Sequence, residues 1–114
     1  MKKKILIVDD QEDILKSLAQ YLEICGFKVI STLSAKKAIK LAKKEKPDLM
    51  LVDIRMPEMT GLELCSKVPE QKVLFMTAYN NYEKKADNYE NSIGLIRKPI
   101  DTSLLIGIIK KEFA

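Results

Sequence analysis

The chain predicts an α/β fold, a doubly wound five-stranded parallel sheet with helices on both faces. Three observations predict it. Five short apolar runs recur along the 114 residues. A segment with helical spacing of apolar residues follows most of them. The runs are apolar throughout rather than alternating, which is the pattern of parallel strands buried on both faces.

The elements follow in order. Ile5-Leu6-Ile7-Val8 is the first strand run, and Ile14, Leu15, Leu18, Ala19 and Leu22 then repeat at helical spacing up to Gly26. Phe27 to Thr32 reads as a second strand, less apolar and therefore placed at an edge. Ser34 is positioned to cap a helix with Ala38, Ile39, Leu41 and Ala42 on its apolar face, and Pro47 ends that segment. Leu49-Met50-Leu51-Val52 is the third strand. Gly61 opens a short helix through Leu62, Leu64 and Cys65, stopped near Pro69. Val73-Leu74-Phe75-Met76 is the fourth strand, and the polar residues 80–91 after it carry only weak helical signal. Ile93 to Ile96 form a fifth strand interrupted by Gly94. Asp101 or Thr102 caps a last helix bearing Leu104, Leu105, Ile108, Ile109 and Phe113. Residues 1–114 are expected to form one domain, without repeat, linker or low-complexity segment.

Composition excludes several classes of function. With 20 basic and 16 acidic residues the formal charge is +4, and the excess reads as scattered apart from Lys2-Lys3-Lys4. No basic patch with readout side chains is visible, so direct nucleic-acid binding is not expected. Histidine is absent, and Cys25 and Cys65 belong to no CxxC motif. That excludes a zinc site of the usual kind and any Ser-His-Asp or Cys-His mechanism. Both cysteines are expected to be reduced, half-buried packing residues of a cytoplasmic protein. No stretch approaches the ~20 apolar residues of a membrane span. Met1 to Val8 is basic and then apolar, but its apolar run ends at Asp9-Asp10, too soon for a leader.

The chemistry is expected where open α/β sheets place ligands, beyond the carboxyl ends of the strands. Asp9 and Asp10 follow the first run, Asp53 the third, Thr77 the fourth and Lys98 the fifth. Each has a plainer use on its own: a helix cap for Asp9 or Asp10, a turn for Asp53, a loop hydroxyl for Thr77, a solvated ammonium for Lys98. Five such placements at one edge weaken those explanations together. Three carboxylates in one pocket repel each other, and a hard divalent cation such as Mg²⁺ relieves the repulsion. A cation and an ammonium would also let Asp53 attack an anionic phosphorus centre, with Thr77 donating to a phosphoryl oxygen. Met56 and Met59, lacking histidine or cysteine ligands nearby, read as packing residues rather than a soft-metal site.

This arrangement resembles the receiver (CheY-like) domain of two-component response regulators across nearly the whole chain. The carriers are Asp9-Asp10 after Ile5-Leu6-Ile7-Val8, the D-x-x-M-P-x-M-x-G run from Asp53 to Gly61, Thr77-Ala78 and Lys98-Pro99. The resemblance implies the flavodoxin-like strand order 2-1-3-4-5 and a cis Lys98-Pro99 bond. It implies that Asp53 is the phosphoacceptor, and that Asp10 and Asp53 bind Mg²⁺ through side chains with Asp9 acting mainly through water. The backbone carbonyl of Arg55 would be a further ligand, and Thr77 and Lys98 would grip the phosphoryl group. The donor would be a phosphohistidine on a histidine kinase or phosphotransfer protein. Phosphoryl transfer and hydrolysis would be self-catalysed rather than the work of a metabolic enzyme. The resemblance also implies a conformational switch read by a protein target, and a mode of homodimerisation through the fourth helix, fifth strand and fifth helix.

Two departures from the family pattern stand out. Leu95 occupies the position of the aromatic that usually follows the threonine inward. The Gly-Ala pair before the fifth strand is replaced by Asn91 and Ser92. Residues 80–91 are therefore expected to be irregular and the least ordered part of the domain. Arg55 and Tyr79, each two residues beyond a site residue, are candidates to overhang the site, where Tyr79 would hinder the in-line water. Two other functions compete. A hydrolase with paired carboxylates would need a substrate cleft that so short a chain has little material to build. A phosphorylation-independent interaction module remains open because of Leu95, as does the receiver part of a longer regulator with its output domain outside this chain.

Overall fold

The computed structural model describes residues 2–114; Met1, the start of the basic-then-apolar N-terminus, lies outside them. Five strands, β1 (Lys4–Val8), β2 (Lys28–Thr32), β3 (Leu49–Asp53), β4 (Val73–Thr77) and β5 (Ser92–Arg97), alternate with five helices. The helices are α1 (Glu12–Ile24), α2 (Ala35–Glu45), α3 (Gly61–Lys67), α4 (Glu83–Asp87) and α5 (Thr102–Phe113). The strands pair in parallel in the order β2-β1-β3-β4-β5. The predicted fold class, strand order and cis Lys98-Pro99 bond are all present.

Side-chain alternation along the buried strands divides the core into two layers. Leu6, Val8, Met50, Val52, Val73 and Phe75 face one way, against Ala38 and Ala42 of α2, Leu64 and Cys65 of α3, and Ala86 of α4. Ile5, Ile7, Leu49, Leu51, Leu74 and Met76 face the other, against Leu15, Leu18 and Leu22 of α1 and Leu105 and Ile109 of α5. β2 is the edge strand that its weaker apolar pattern implies, with Lys28 and Ser31 exposed. Among the described residues no helix is long and apolar enough to cross a membrane.

Several boundaries differ from the apolar runs. β3 and β4 each run one residue further, to Asp53 and Thr77, because backbone pairing continues past the last apolar side chain. β2 begins at Lys28, since Phe27 donates its N–H to Leu22 at the end of α1 instead. β5 contains a bulge: Val73 pairs with Ser92 and Leu74 with Gly94, leaving Ile93 extra. Gly94 has φ of 138°, a conformation other residues rarely adopt. Ser34 and Asp101 cap α2 and α5 as expected. Gln11, not Asp9 or Asp10, holds the N-cap position of α1.

The irregular segment 80–91 contains only the five-residue α4. Its far end is held by Asn91, whose side-chain amide donates to the carbonyls of Cys65 and Val68 at 3.1 Å each. The thiol of Cys65 in turn donates to Asn91 Oδ1 at 3.2 Å. Cys65 is fully buried rather than half-buried, and burial pushes its thiol up to about 11. Cys25 is half-buried, as expected.

The loop between β3 and α3 folds back tightly on Asp53. Gly61 donates its N–H to the carbonyl of Ile54 at 2.7 Å. A Cβ at position 61 would lie 2.3 Å from the Asp53 carbonyl oxygen and 2.9 Å from Val52 Cγ1. Glycine is required here for close approach. Gly61→Ala is therefore expected to cost about 1–3 kcal/mol of stability. Urea unfolding checks this; an unchanged midpoint would mean that the loop yields without strain.

Candidate functional site

The five residues singled out from sequence converge at the carboxyl edge of the sheet. Asp9 is fully buried just after β1, while its neighbour Asp10 is exposed. Asp53 and Thr77 are the last residues of β3 and β4, buried at 6% and 1% exposure. Because Asp53 pairs in register with Met76, Thr77 lies one step beyond it on the adjacent strand. Lys98 follows β5 directly. Its ammonium reaches Asp9 Oδ2 at 2.6 Å and Asp53 Oδ2 at 3.4 Å, with only 9% of its side chain exposed. The solvated ammonium that Lys98 alone would suggest is therefore not what forms.

Local bonds hold these groups in place. Asp9 Oδ1 accepts the N–H of Gln11 at 2.9 Å, so its other oxygen is left for Lys98. Lys98 donates its backbone N–H to the carbonyl of Thr77 at 2.8 Å, tying the ends of β4 and β5 together. Thr77 Oγ1 accepts the N–H of Tyr79 at 3.1 Å, which leaves the hydroxyl proton available to another acceptor.

Carboxylate oxygens of Asp9, Asp10 and Asp53 all lie within 4.8 Å of one another. Burial is the largest influence on Asp53 and pushes its carboxyl up to about 6. The charges of Asp9 and Asp10 push in the same direction, and Lys98 opposes them without restoring the ordinary value. Three hard oxygen donors around an excess of negative charge fit a small divalent cation and do not fit a soft metal. Met56 and Met59 pack against the core as expected.

Above these groups lies a cleft of about 180 Å³ lined by Asp10, Gln11, Asp53, Arg55, Ala78, Tyr79 and Lys98. The Arg55 guanidinium stacks over the ring of Tyr79, 4.3 Å from its centroid. Both candidates for overhanging the site thus line its mouth, joined as a cation–π pair. Gln11 is the lining residue that sequence pattern does not single out; its only signal is its position next to the acidic pair.

The raised Asp53 carboxyl has a consequence for stability. Its unfolded value is near 3.8 and its folded value about 6. Below the lower value the group is protonated in both states and costs nothing. The cost grows between the two and is complete above the higher one, on the order of 2–3 kcal/mol. Asp53→Asn is therefore expected to be more stable than the parent by about 2 kcal/mol at neutral pH, with the gap closing toward pH ~4. Urea unfolding across that range, without divalent cations, checks it; a gap independent of pH would contradict the assignment.

Comparison with known proteins places this geometry in a family. The family model for the response regulator receiver domain matches residues 5–110. The alkaline phosphatase synthesis transcriptional regulatory protein PhoP of Bacillus subtilis (strain 168) is 43% identical over 75 residues, which cover 66% of this chain and 31% of PhoP. This chain thus spans about a third of that relative's length. A CheY-like response regulator receiver domain protein from Methanospirillum hungatei JF-1 superposes with a TM-score of 0.91 at 33% identity, covering 98% of this chain and 94% of that one. The response regulator TrrA from Thermotoga maritima, solved in complex with Mg(2+)-BeF, superposes with a TM-score of 0.88 at 26% identity, covering 96% and 98%. By its matched family and its fold, the chain belongs to the CheY-like receiver domains of two-component response regulators.

Proposed function

We propose that this protein, residues 1–114 acting as one receiver unit, is the phosphoacceptor switch of a two-component phosphorelay. Asp53 takes the phosphoryl group. The observation that carries the proposal is the meeting of three carboxylates within 4.8 Å, with a nearly buried ammonium bridging two of them. Asp10 and Asp53 would hold Mg²⁺ through their side chains, Asp9 mainly through water, and the Arg55 carbonyl would complete the protein ligands. The ion, when bound, supplies positive charge against the phosphoryl oxygens as they approach a carboxylate. That TrrA was solved in complex with Mg(2+)-BeF supports magnesium as the cation.

The protein's own groups do the rest. An oxygen of Asp53 forms the new bond to phosphorus as the phosphorus–nitrogen bond to a phosphohistidine breaks, and the imidazole leaves with the electron pair and takes up a proton. Lys98, already at Asp53, shifts its contact from the carboxylate to the phosphoryl oxygen and meets the charge where it develops. Thr77 donates its free hydroxyl proton to a second oxygen. Hydrolysis of the resulting acyl phosphate is likewise self-catalysed, and the protein is not a metabolic enzyme. Arg55 and Tyr79 at the mouth restrict the in-line approach of water.

The phosphodonor is a histidine kinase or a phosphotransfer protein in the cytoplasm. An apolar groove of about 270 Å³ opens beside Lys98, lined by Ile14, Leu18, Pro99 and Ile100, and gives such a protein a non-polar foothold next to the reacting group. Phosphorylation shifts the conformational equilibrium toward a form that a target prefers. The face formed by α4, β5 and α5 is the proposed site of homodimerisation. A second reading, an interaction module that works without phosphorylation, is favoured by Leu95, which packs against the core where an aromatic relay is usual. A third places this chain as the receiver part of a longer regulator, in keeping with its 31% share of PhoP.

Incubation with Mg²⁺ and acetyl phosphate, followed by intact mass measurement, tests the proposal. One phosphoryl adduct is expected on the parent and none on Asp53→Asn. Absence of an adduct in rapidly quenched samples that demonstrably bind Mg²⁺ would favour the interaction module. Tyr79→Ala, which opens the mouth, is expected to shorten the lifetime of the phosphorylated form several-fold; an unchanged lifetime would remove the shielding role.

A further inference from the structure

The positive charge, scattered when read residue by residue, is concentrated once the elements are in place. Residues 35–46, α2 with its C-terminal neighbour, contain Lys36, Lys37, Lys40, Lys43, Lys44 and Lys46 against the single acid Glu45. That segment carries +5 of a chain whose total is +4, so all other residues together sum to −1. All six lysines are exposed, and among the described residues none forms an ion pair. Glu45 is already engaged by Lys4 at 3.3 Å.

This arrangement works against the helix that carries it. Lys36, Lys40 and Lys44 repeat at four-residue spacing, and Lys37, Lys40 and Lys43 at three, so like charges stack along one face and weaken it. Lys36 and Lys37 occupy the first turn, where the helix dipole disfavours cations. Glu58, reaching from the β3–α3 loop to the Ser34 hydroxyl at 2.7 Å, brings one acid to that end. Lys46 adopts φ of 47°, a position where glycine or asparagine is usual. α1 shows the ordinary solution for a solvated face, with Glu12 and Lys16 paired at 3.0 Å. Lys43 and Lys44 in the last turn do suit the helix dipole, but among the described residues no ion pair offsets the repulsion along the face.

The chemistry of the face identifies the partner. It carries no arginine and no aromatic residue, the side chains that enrich protein–protein interfaces, where lysine is depleted. The charges form a line about 15 Å long at the helical rise, one helix wide. On α3 and the turn after it Glu63 and Glu70 are exposed with Lys67, and α1 exposes Glu12 and Glu23 with Lys16. A flat anionic membrane would favour charge spread over a plane, whereas a line of ammonium groups matches a linear polyanion. Lysine contacts phosphate as a point charge, and the face has no asparagine, glutamine or arginine to read bases. We propose that the exposed face of α2 binds the phosphate backbone of nucleic acid without reading its sequence. The inference stands apart from the phosphoacceptor reading.

Fluorescence anisotropy of the full chain with two labelled duplexes of unrelated sequence tests it. Both are expected to bind with equal affinity that falls steeply with salt, with a log–log slope of about −3 to −4. Replacing one row of the face (Lys37→Gln, Lys40→Gln, Lys44→Gln) is expected to weaken binding at least ~10-fold and flatten the slope by about 2 to 3. The control triple Lys84→Gln, Lys85→Gln, Lys110→Gln removes equal charge from exposed lysines elsewhere and is expected to leave binding nearly unchanged. Loss of like-charge repulsion should leave the Tm of the α2 variant no lower than the parent's, which separates lost binding from lost folding. Arginine at the same three positions is expected to restore binding. The proposal is overturned by no duplex binding at low salt or by equal loss in both triples. Tighter binding to poly-glutamate or to phosphatidylserine vesicles than to duplex would overturn it as well.

Discussion

The structure depends on one buried electrostatic compromise, the Lys98 ammonium set between Asp9 and Asp53. Burying a carboxylate is costly, and burying two side by side costs more. Lys98 offsets part of that cost, and the raised carboxyl of Asp53 shows that it does not offset all of it. The remaining negative charge favours a hard cation at that edge. The neighbouring features keep that geometry fixed. The Gln11 N–H holds Asp9, the Thr77 carbonyl holds the Lys98 backbone, and the Gly61 loop packs directly on the Asp53 carbonyl.

Parallel strands account for why so much of this was legible in the chain. A strand buried on both faces must be apolar throughout, so its end is marked by the first polar residue, and that end is where α/β sheets carry their ligands. The same logic misplaces Asp53 and Thr77 by one residue. Backbone pairing follows hydrogen bonds rather than hydrophobicity, and both residues remain within the ladder. The plain alternatives for Asp9 and Lys98 fail for a related reason. A helix cap and a solvated ammonium are local explanations, but the two residues meet each other across the sheet.

Features that depend on distant partners left weaker traces. Asn91 looks like a loop residue in the chain, yet its amide fastens the end of α3 to the start of β5. The bulge at Ile93 shows only as a glycine inside a strand pattern. Asn80 and Glu83 give no sign that the Arg97 guanidinium bonds to both, bracing the loop after β4. The charge of α2 was countable from the start, since its Ser34 cap, its apolar face and Pro47 were all legible, but the lack of ion pairs to its lysines among the described residues was not.

The bond between Lys98 and Asp9 joins residues 89 positions apart. During synthesis on the ribosome both acidic segments and all five strands emerge before the residue that neutralises them. An incomplete chain can assemble apolar layers from β1, β3 and β4, but it holds two inward-facing carboxylates with no ammonium to answer them. Closure of the site therefore rests on a contact of long sequence separation, the kind that is slow to form. The site stays open until β5 has paired beside β4 and brought Lys98 back to the first strand's Asp9.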